Sequence, residues 1–96
     1  MNVKKKILLV DSSRTSLLLE RMILDPEAYE LLVALDGEEA LEVAAAERPD
    51  LILMDAVLPR LGGVEALRRL RSRRETQATP VILVTTRGEP ASVEEG

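Results

Sequence analysis

The chain has 96 residues, with 13 basic and 17 acidic side chains and a formal net charge of −4, a size that suits one domain and is too small for two. Hydrophobic residues make up 46%, with no Phe, no Trp and Tyr29 as the single aromatic, so a packed aliphatic core is expected rather than disorder. The absence of Cys excludes disulfides and thiolate chemistry, the joint absence of Cys and His argues against structural zinc, and the mild acidity gives no global signal for nucleic acid or an anionic membrane.

Lys4, Lys5 and Lys6 lead into the apolar run Ile7–Val10, which stops at Asp11. That run is shorter than a signal-peptide core of about 7–15 residues, and no stretch approaches the roughly 20 apolar residues of a membrane span. A cytoplasmic, non-membrane protein is therefore expected. A continuous apolar run with β-branched ends suits a strand buried on both faces. Ser12 and Ser13 offer N-caps to a helix over Arg14–Leu24, where Leu18 and Met22, and Leu19 and Ile23, lie one turn apart before Pro26 closes the helix.

Glu30–Ala34 is a weaker strand candidate, and Asp36-Gly37 marks a turn. Glu38–Glu47 is rich in Ala, Leu and Glu, good helix formers, with Leu41, Ala44 and Ala45 as its inner stripe. Arg48-Pro49-Asp50 ends that helix. Leu51–Met54 is a second continuous apolar run, stopping at Asp55. Pro59 and Gly62-Gly63 define a loop, and Val64, Leu67 and Leu70 recur at three-residue spacing on a third helix. Pro80 precedes the run Val81–Val84, which stops at Thr85; beyond it, Arg87 to Gly96 reads as a loop and the start of a further helix. The order β-α-β-α-β-α-β predicts a parallel sheet built through right-handed crossovers.

Three apolar strands thus end in Asp11, Asp55 and Thr85. In a parallel sheet these ends share one edge, where open α/β folds bind ligands at the point of strand-order reversal. Either carboxylate alone reads more readily as a helix cap or loop residue. Together they repel one another unless a cation lies between them or one is protonated. Mg²⁺ fits, since it takes one or two carboxylates and completes its shell with water and phosphate oxygens. Asp55 is then a candidate nucleophile for an aspartyl phosphate, with the Thr85 hydroxyl as a donor to a phosphoryl oxygen.

At this point the sequence resembles a known family. Lys5 to Ser13 is similar to the first strand and acidic turn of response-regulator (CheY-like) receiver domains of two-component signalling. Leu51 to Pro59, followed by Gly62-Gly63-Val64-Glu65, resembles their phospho-acceptor strand and loop. Pro80 to Thr86 resembles their fourth strand with its switch hydroxyl. The matches keep family order and spacing along nearly the whole chain. The resemblance implies a flavodoxin-like, doubly wound parallel sheet of order 2-1-3-4-5, of which residues 1–96, taken as one receiver domain, hold the 2-1-3-4 part; the fifth strand and final helix are expected to be missing from this chain. It implies phosphotransfer from a histidine kinase, phosphotransfer protein or small phosphodonor to Asp55. It places Mg²⁺ on Asp11, Asp55 and the Val57 backbone carbonyl, gives Thr85 the switching role, and lets Pro59 and Gly63 shape the loop. It implies a signalling switch rather than an enzyme.

The sequence departs from the family in two places. Ser12 stands where a second acidic residue is usual; it is a weaker, neutral candidate ligand, so Mg²⁺ affinity is expected to fall, unless Ser12 merely caps the first helix. The family's Lys after a fifth strand has no counterpart in these 96 residues. Lys4, Lys5 and Lys6 precede the first strand, and a four-residue strand spans roughly 13 Å, so they belong to the opposite edge; Arg87 is nearer in sequence. Val81–Val84 is expected to be an exposed edge that invites self-association or swapping. Arg68, Arg69, Arg71, Arg73 and Arg74 read as a solvated helix end rather than a nucleic-acid surface. The competing reading is a pseudo-receiver, an interaction module of the same fold that works without phosphorylation. A haloacid-dehalogenase-like phosphatase is excluded because Asp11 is followed by Ser12-Ser13 instead of Asp-x-Asp, and no Gly-Lys-Ser/Thr loop marks a P-loop NTPase.

Overall fold

Hydrophobic side chains alternate across the first strand of the computed structural model, which describes residues 4–84. That strand, β1 (Lys5–Val10), sends Ile7 and Leu9 into one core and Leu8 and Val10 into another, and all four are buried. The remaining elements follow in the expected alternation: α1 (Arg14–Ile23), β2 (Tyr29–Ala34), α2 (Gly37–Glu47), β3 (Leu51–Asp55), α3 (Gly63–Arg71) and β4 (Val81–Val84). β1 extends back through Lys5 and Lys6 because their backbones pair with Tyr29 and Glu30, a ladder that needs no apolar side chain.

The sheet is parallel throughout, with order β2-β1-β3-β4. The chain steps outward from β1 to β2, then returns to the far side of β1 to form β3. The strand order therefore reverses between β1 and β3, and that gap is the switch point of the fold.

The larger core lies beneath α2 and α3. Leu8, Val10, Ile52 and Met54 of the sheet meet Ala40, Leu41 and Ala44 of α2 and Ala66 and Leu70 of α3. The smaller core, Ile7, Leu9 and Leu17, lies beneath α1, with Leu24, Leu51 and Leu53 packed against it. The outer side of α1 is unusually apolar: Leu18, Leu19, Met22 and Ile23 are all exposed, Ile23 by 81%. The pairs at helical spacing thus mark the outward face of this helix.

Other local expectations are sharpened. Asp36-Gly37 is the N-cap and first residue of α2, with Asp36 Oδ1 accepting from the Glu39 amide at 2.8 Å. On α3 the inward stripe is Gly63, Ala66, Leu67 and Leu70, and Val64 is exposed. Small residues hold the inner positions because α3 lies close to the loop after β3: a Cβ on Gly63 would overlap the Asp55 carbonyl. No helix among the described residues is long and apolar enough to cross a membrane.

Candidate functional site

The two carboxylates singled out from sequence come together at the switch point. Asp11 follows the last residue of β1 and Asp55 ends β3, and the register pairs Val10 with Met54. The two aspartates therefore occupy corresponding positions on adjacent strands, about 4.7–4.9 Å apart across the sheet. Both are buried, Asp11 at 2% and Asp55 at 6% exposure. Asp11 Oδ1 accepts from the Ser13 amide at 2.8 Å, and Asp55 Oδ1 from the Val57 amide at 3.0 Å. Each carboxylate is thus oriented by the backbone two residues ahead, a local turn that Asp adopts readily.

Ser12 and Ser13 have separate places. Ser13 caps α1, its Oγ accepting from the Ser16 amide at 3.2 Å. Ser12 is exposed beside Asp11, so the capping role considered for it belongs to its neighbour.

The loop after β3 is held from both ends. Leu58 and Leu61 are buried, the Gly63 amide donates to the Ala56 carbonyl at 3.0 Å, and the Leu61 amide donates to the Pro59 carbonyl at 2.7 Å. Val57 is half exposed, and nothing among the described residues donates to its carbonyl. Arg60 adopts a left-handed backbone (φ 68°) and bridges to α2, with Nη2 2.8 Å from Glu38 Oε1 and Nε 3.7 Å from Asp36 Oδ2. Sequence inspection gives no signal for this clamp, which joins residues 22 positions apart.

Thr85, Thr86 and Arg87 lie outside the described residues. Val84, which directly precedes Thr85, pairs with Asp55, and its carbonyl accepts from the Ala56 amide at 3.0 Å. The amino-terminal lysines sit at the far edge, as expected. Lys6 Nζ reaches Glu47 Oε1 at 3.1 Å and the Glu47 carbonyl at 3.2 Å, tying the start of β1 to the end of α2. Its charged form is favoured chiefly by that hydrogen bond to Glu47. In the arginine cluster, Arg68 and Arg69 pair with Glu65, and Arg71 donates to the Thr76 carbonyl at 3.2 Å, in keeping with a solvated helix end.

A further carboxylate near the site is one that the sequence alone does not single out. Glu20 lies on α1, and its Oε1 is buried with no hydrogen-bond partner among the described residues. Burial pushes its carboxyl above the ordinary value, and the negative charges of Asp11 and Asp55 add to the shift. A glutamate in a helix ordinarily reads as a solvated residue, so only the fold reveals this placement.

The donor set suits a hard divalent ion. Two buried carboxylates and an open backbone carbonyl match the sparse protein coordination of Mg²⁺. Among the described residues no three acidic side chains lie close enough to hold one ion together.

A parallel sheet carrying paired carboxylates at its switch point defines a doubly wound α/β protein with an acidic ligand site. Residues 7–96 match the response regulator receiver domain family. Protein PilH of Pseudomonas aeruginosa is 39% identical over 84 residues, covering 88% of this chain and 69% of PilH. The chemotaxis response regulator CheY4 of Vibrio cholerae superposes with a TM-score of 0.85 at 32% identity, over 98% of this chain and 78% of CheY4. The receiver domain of the sensor histidine kinase PA1611 from Pseudomonas aeruginosa, solved with a magnesium ion in its active-site cleft, gives 0.85 at 29% identity, over 96% of this chain and 75% of that one. The chain spans about a third of the length of the transcriptional regulators among its relatives. It belongs to the response regulator receiver domain family, the CheY-like modules of two-component signalling.

Proposed function

We propose that this domain, taken over residues 1–96, is a phosphorylation-dependent switch, rather than an enzyme, that accepts a phosphoryl group on Asp55. The observation that carries this reading is the burial of Asp55 beside Asp11 on adjacent strands at the switch point. The Asp55 carboxylate attacks the phosphorus of a phosphohistidine on a histidine kinase or phosphotransfer protein. An O–P bond forms, the P–N bond breaks, and its electron pair returns to the imidazole. The hydrogen bond from the Val57 amide to Oδ1 fixes the carboxylate for that attack.

Asp11, Asp55 and the Val57 carbonyl would hold Mg²⁺, with Ser12 as a weak further candidate. When bound, the ion offsets charge on the phosphoryl oxygens. Support for the metal comes from the magnesium-bound cleft of the PA1611 receiver. Thr85, next in sequence to the residue that pairs with Asp55, would donate its hydroxyl to a phosphoryl oxygen and couple the site to the output surface. The output is a partner or another domain, and a cytoplasmic location fits a kinase-fed switch. Direct contact with nucleic acid or membrane is not part of this reading.

The test is incubation with acetyl phosphate and Mg²⁺ followed by intact-mass measurement. A gain of one phosphoryl group that is lost in Asp55→Asn supports the switch, and no gain favours the phosphorylation-independent module. Self-association is a separate part of the proposal. Among the described residues β4 pairs only with β3, and Ile82 on it is exposed, an edge suited to pairing with a second copy. A strictly monomeric species by light scattering counts against it.

A further inference from the structure

The inward stripe of α1 contains a carboxylate. Leu17 is buried against the sheet and Leu24 packs on the same small core. Glu20, three residues after Leu17 and four before Leu24, lies on that face. The apolar residues of the helix, Leu18, Leu19, Met22 and Ile23, face outward instead. A position suited to a leucine therefore holds an acid whose Oε1 is shielded from water and has no donor among the described residues. Leaving such an atom unsatisfied is costly.

Side chains on a helix lean toward its N-terminus. The N-terminus of α1 is anchored at the site, since Asp11 accepts from the Ser13 amide and Ser13 caps the helix. Glu20 thus leans back along α1 toward the end anchored at Asp11, and the Asp11 and Asp55 carboxylates act on it electrostatically. The interaction is mutual, so Glu20 adds its charge to the field between the two aspartates. Among the described residues no three acidic side chains converge closely enough to share an ion directly.

We propose that Glu20 is a positioning residue of the phosphorylation site: its carboxylate supplies the negative charge that Ser12 lacks, and so strengthens the hold of Asp11 and Asp55 on a divalent cation without ligating it. The inference rests on the reading of Asp11 and Asp55 as the cation site. It gives the unpaired oxygen of Glu20 a function, because a hydrated cation nearby offsets the repulsion that the acid otherwise suffers.

The test is calorimetric titration of the full chain with Mg²⁺ and with Mn²⁺, alongside Glu20→Gln, Asp11→Asn and the double variant Ser12→Asp/Glu20→Gln. Glu20→Gln is expected to weaken binding by roughly three- to tenfold, the scale of one screened charge near a dication. That loss should shrink at high ionic strength. Adding Ser12→Asp should restore the affinity, which repair of a packing defect would not do. Unchanged affinity in Glu20→Gln, with binding abolished in Asp11→Asn, overturns the role of Glu20 and leaves the cation site standing. No cation binding by the unaltered chain overturns the site itself. Circular dichroism checks folding, and Glu20→Met serves as a second charge-free variant, with the same loss expected.

Discussion

Asp11 and Asp55 are orientational twins: each closes one of two adjacent parallel strands, and each gives one carboxylate oxygen to the amide two residues further on, Ser13 at 2.8 Å and Val57 at 3.0 Å. Their side chains are thereby held on one edge with their negative charges together. Replacing Asp11 by Asn keeps an oxygen for the Ser13 amide and removes one charge. Asp11→Asn is expected to raise the melting temperature in the absence of metal, because like charges in one buried site destabilise each other. It should also slow phosphorylation by acetyl phosphate at least tenfold. Calorimetry and a phosphorylation time course measure the two effects, and a lowered melting temperature would show that Asp11 is held by something other than a cation.

Gly63 allows α3 to approach the end of β3. A methyl group there would overlap the Asp55 carbonyl and crowd the Ala56 backbone. Gly63→Ala should destabilise the fold by about 1–3 kcal/mol, the usual cost of overpacking. Urea denaturation followed by circular dichroism measures this, and it should also slow phosphorylation because the displaced backbone carries Asp55.

Thr76 is buried beyond α3, and its Oγ1 donates to the Leu70 carbonyl at 2.7 Å. Thr76→Val keeps the shape and removes the donor. The Arg73 amide still donates to the same carbonyl at 3.3 Å, so the expected loss is about 0.5–1.5 kcal/mol, the net worth of one hydrogen bond, with no change in divalent-cation affinity. Paired denaturation and titration experiments check both halves of this expectation.

Glu20 makes stability depend on pH with a definite sign. Its folded-state carboxyl is raised by burial first and by Asp11 and Asp55 second. A raised acid favours folding fully below its ordinary range, and that contribution is lost as pH rises through the raised value. Glu20→Gln removes the dependence. In metal-free buffer the variant should melt above the unaltered chain at pH 7, and the difference should close toward pH 4. A substitution that stabilises the fold while weakening cation binding is the mark of a residue kept for function.

Much of this architecture is legible in the sequence. Ile7–Val10, Leu51–Met54 and Val81–Val84 are continuous apolar runs because their strands are covered on both faces, wholly or in part. Asp11 and Asp55 stand out because each ends such a run. What stays hidden depends on packing. Gly63 and Ala66 are silent in hydropathy, so Val64 reads as the inner residue although it is 62% exposed. Helical spacing of Leu18, Leu19, Met22 and Ile23 marks a face of α1 without saying which way it turns. Ser12 and Ser13 are both plausible caps, and only backbone geometry selects Ser13. Glu20 and the Arg60 clamp depend on neighbours far away in sequence. Thr85 and Arg87 lie outside the described residues, and their roles rest on sequence position.

Phosphorylation of Asp55 is tested most directly by chemical trapping of the phosphorylated residue. The chain is treated with acetyl phosphate and Mg²⁺, reduced with borohydride to convert an acyl phosphate into the corresponding alcohol, digested and mapped by mass spectrometry. Reduction is expected at Asp55 alone, dependent on Mg²⁺. Reduction at Asp11, or at no residue under conditions that phosphorylate a control receiver, would contradict it.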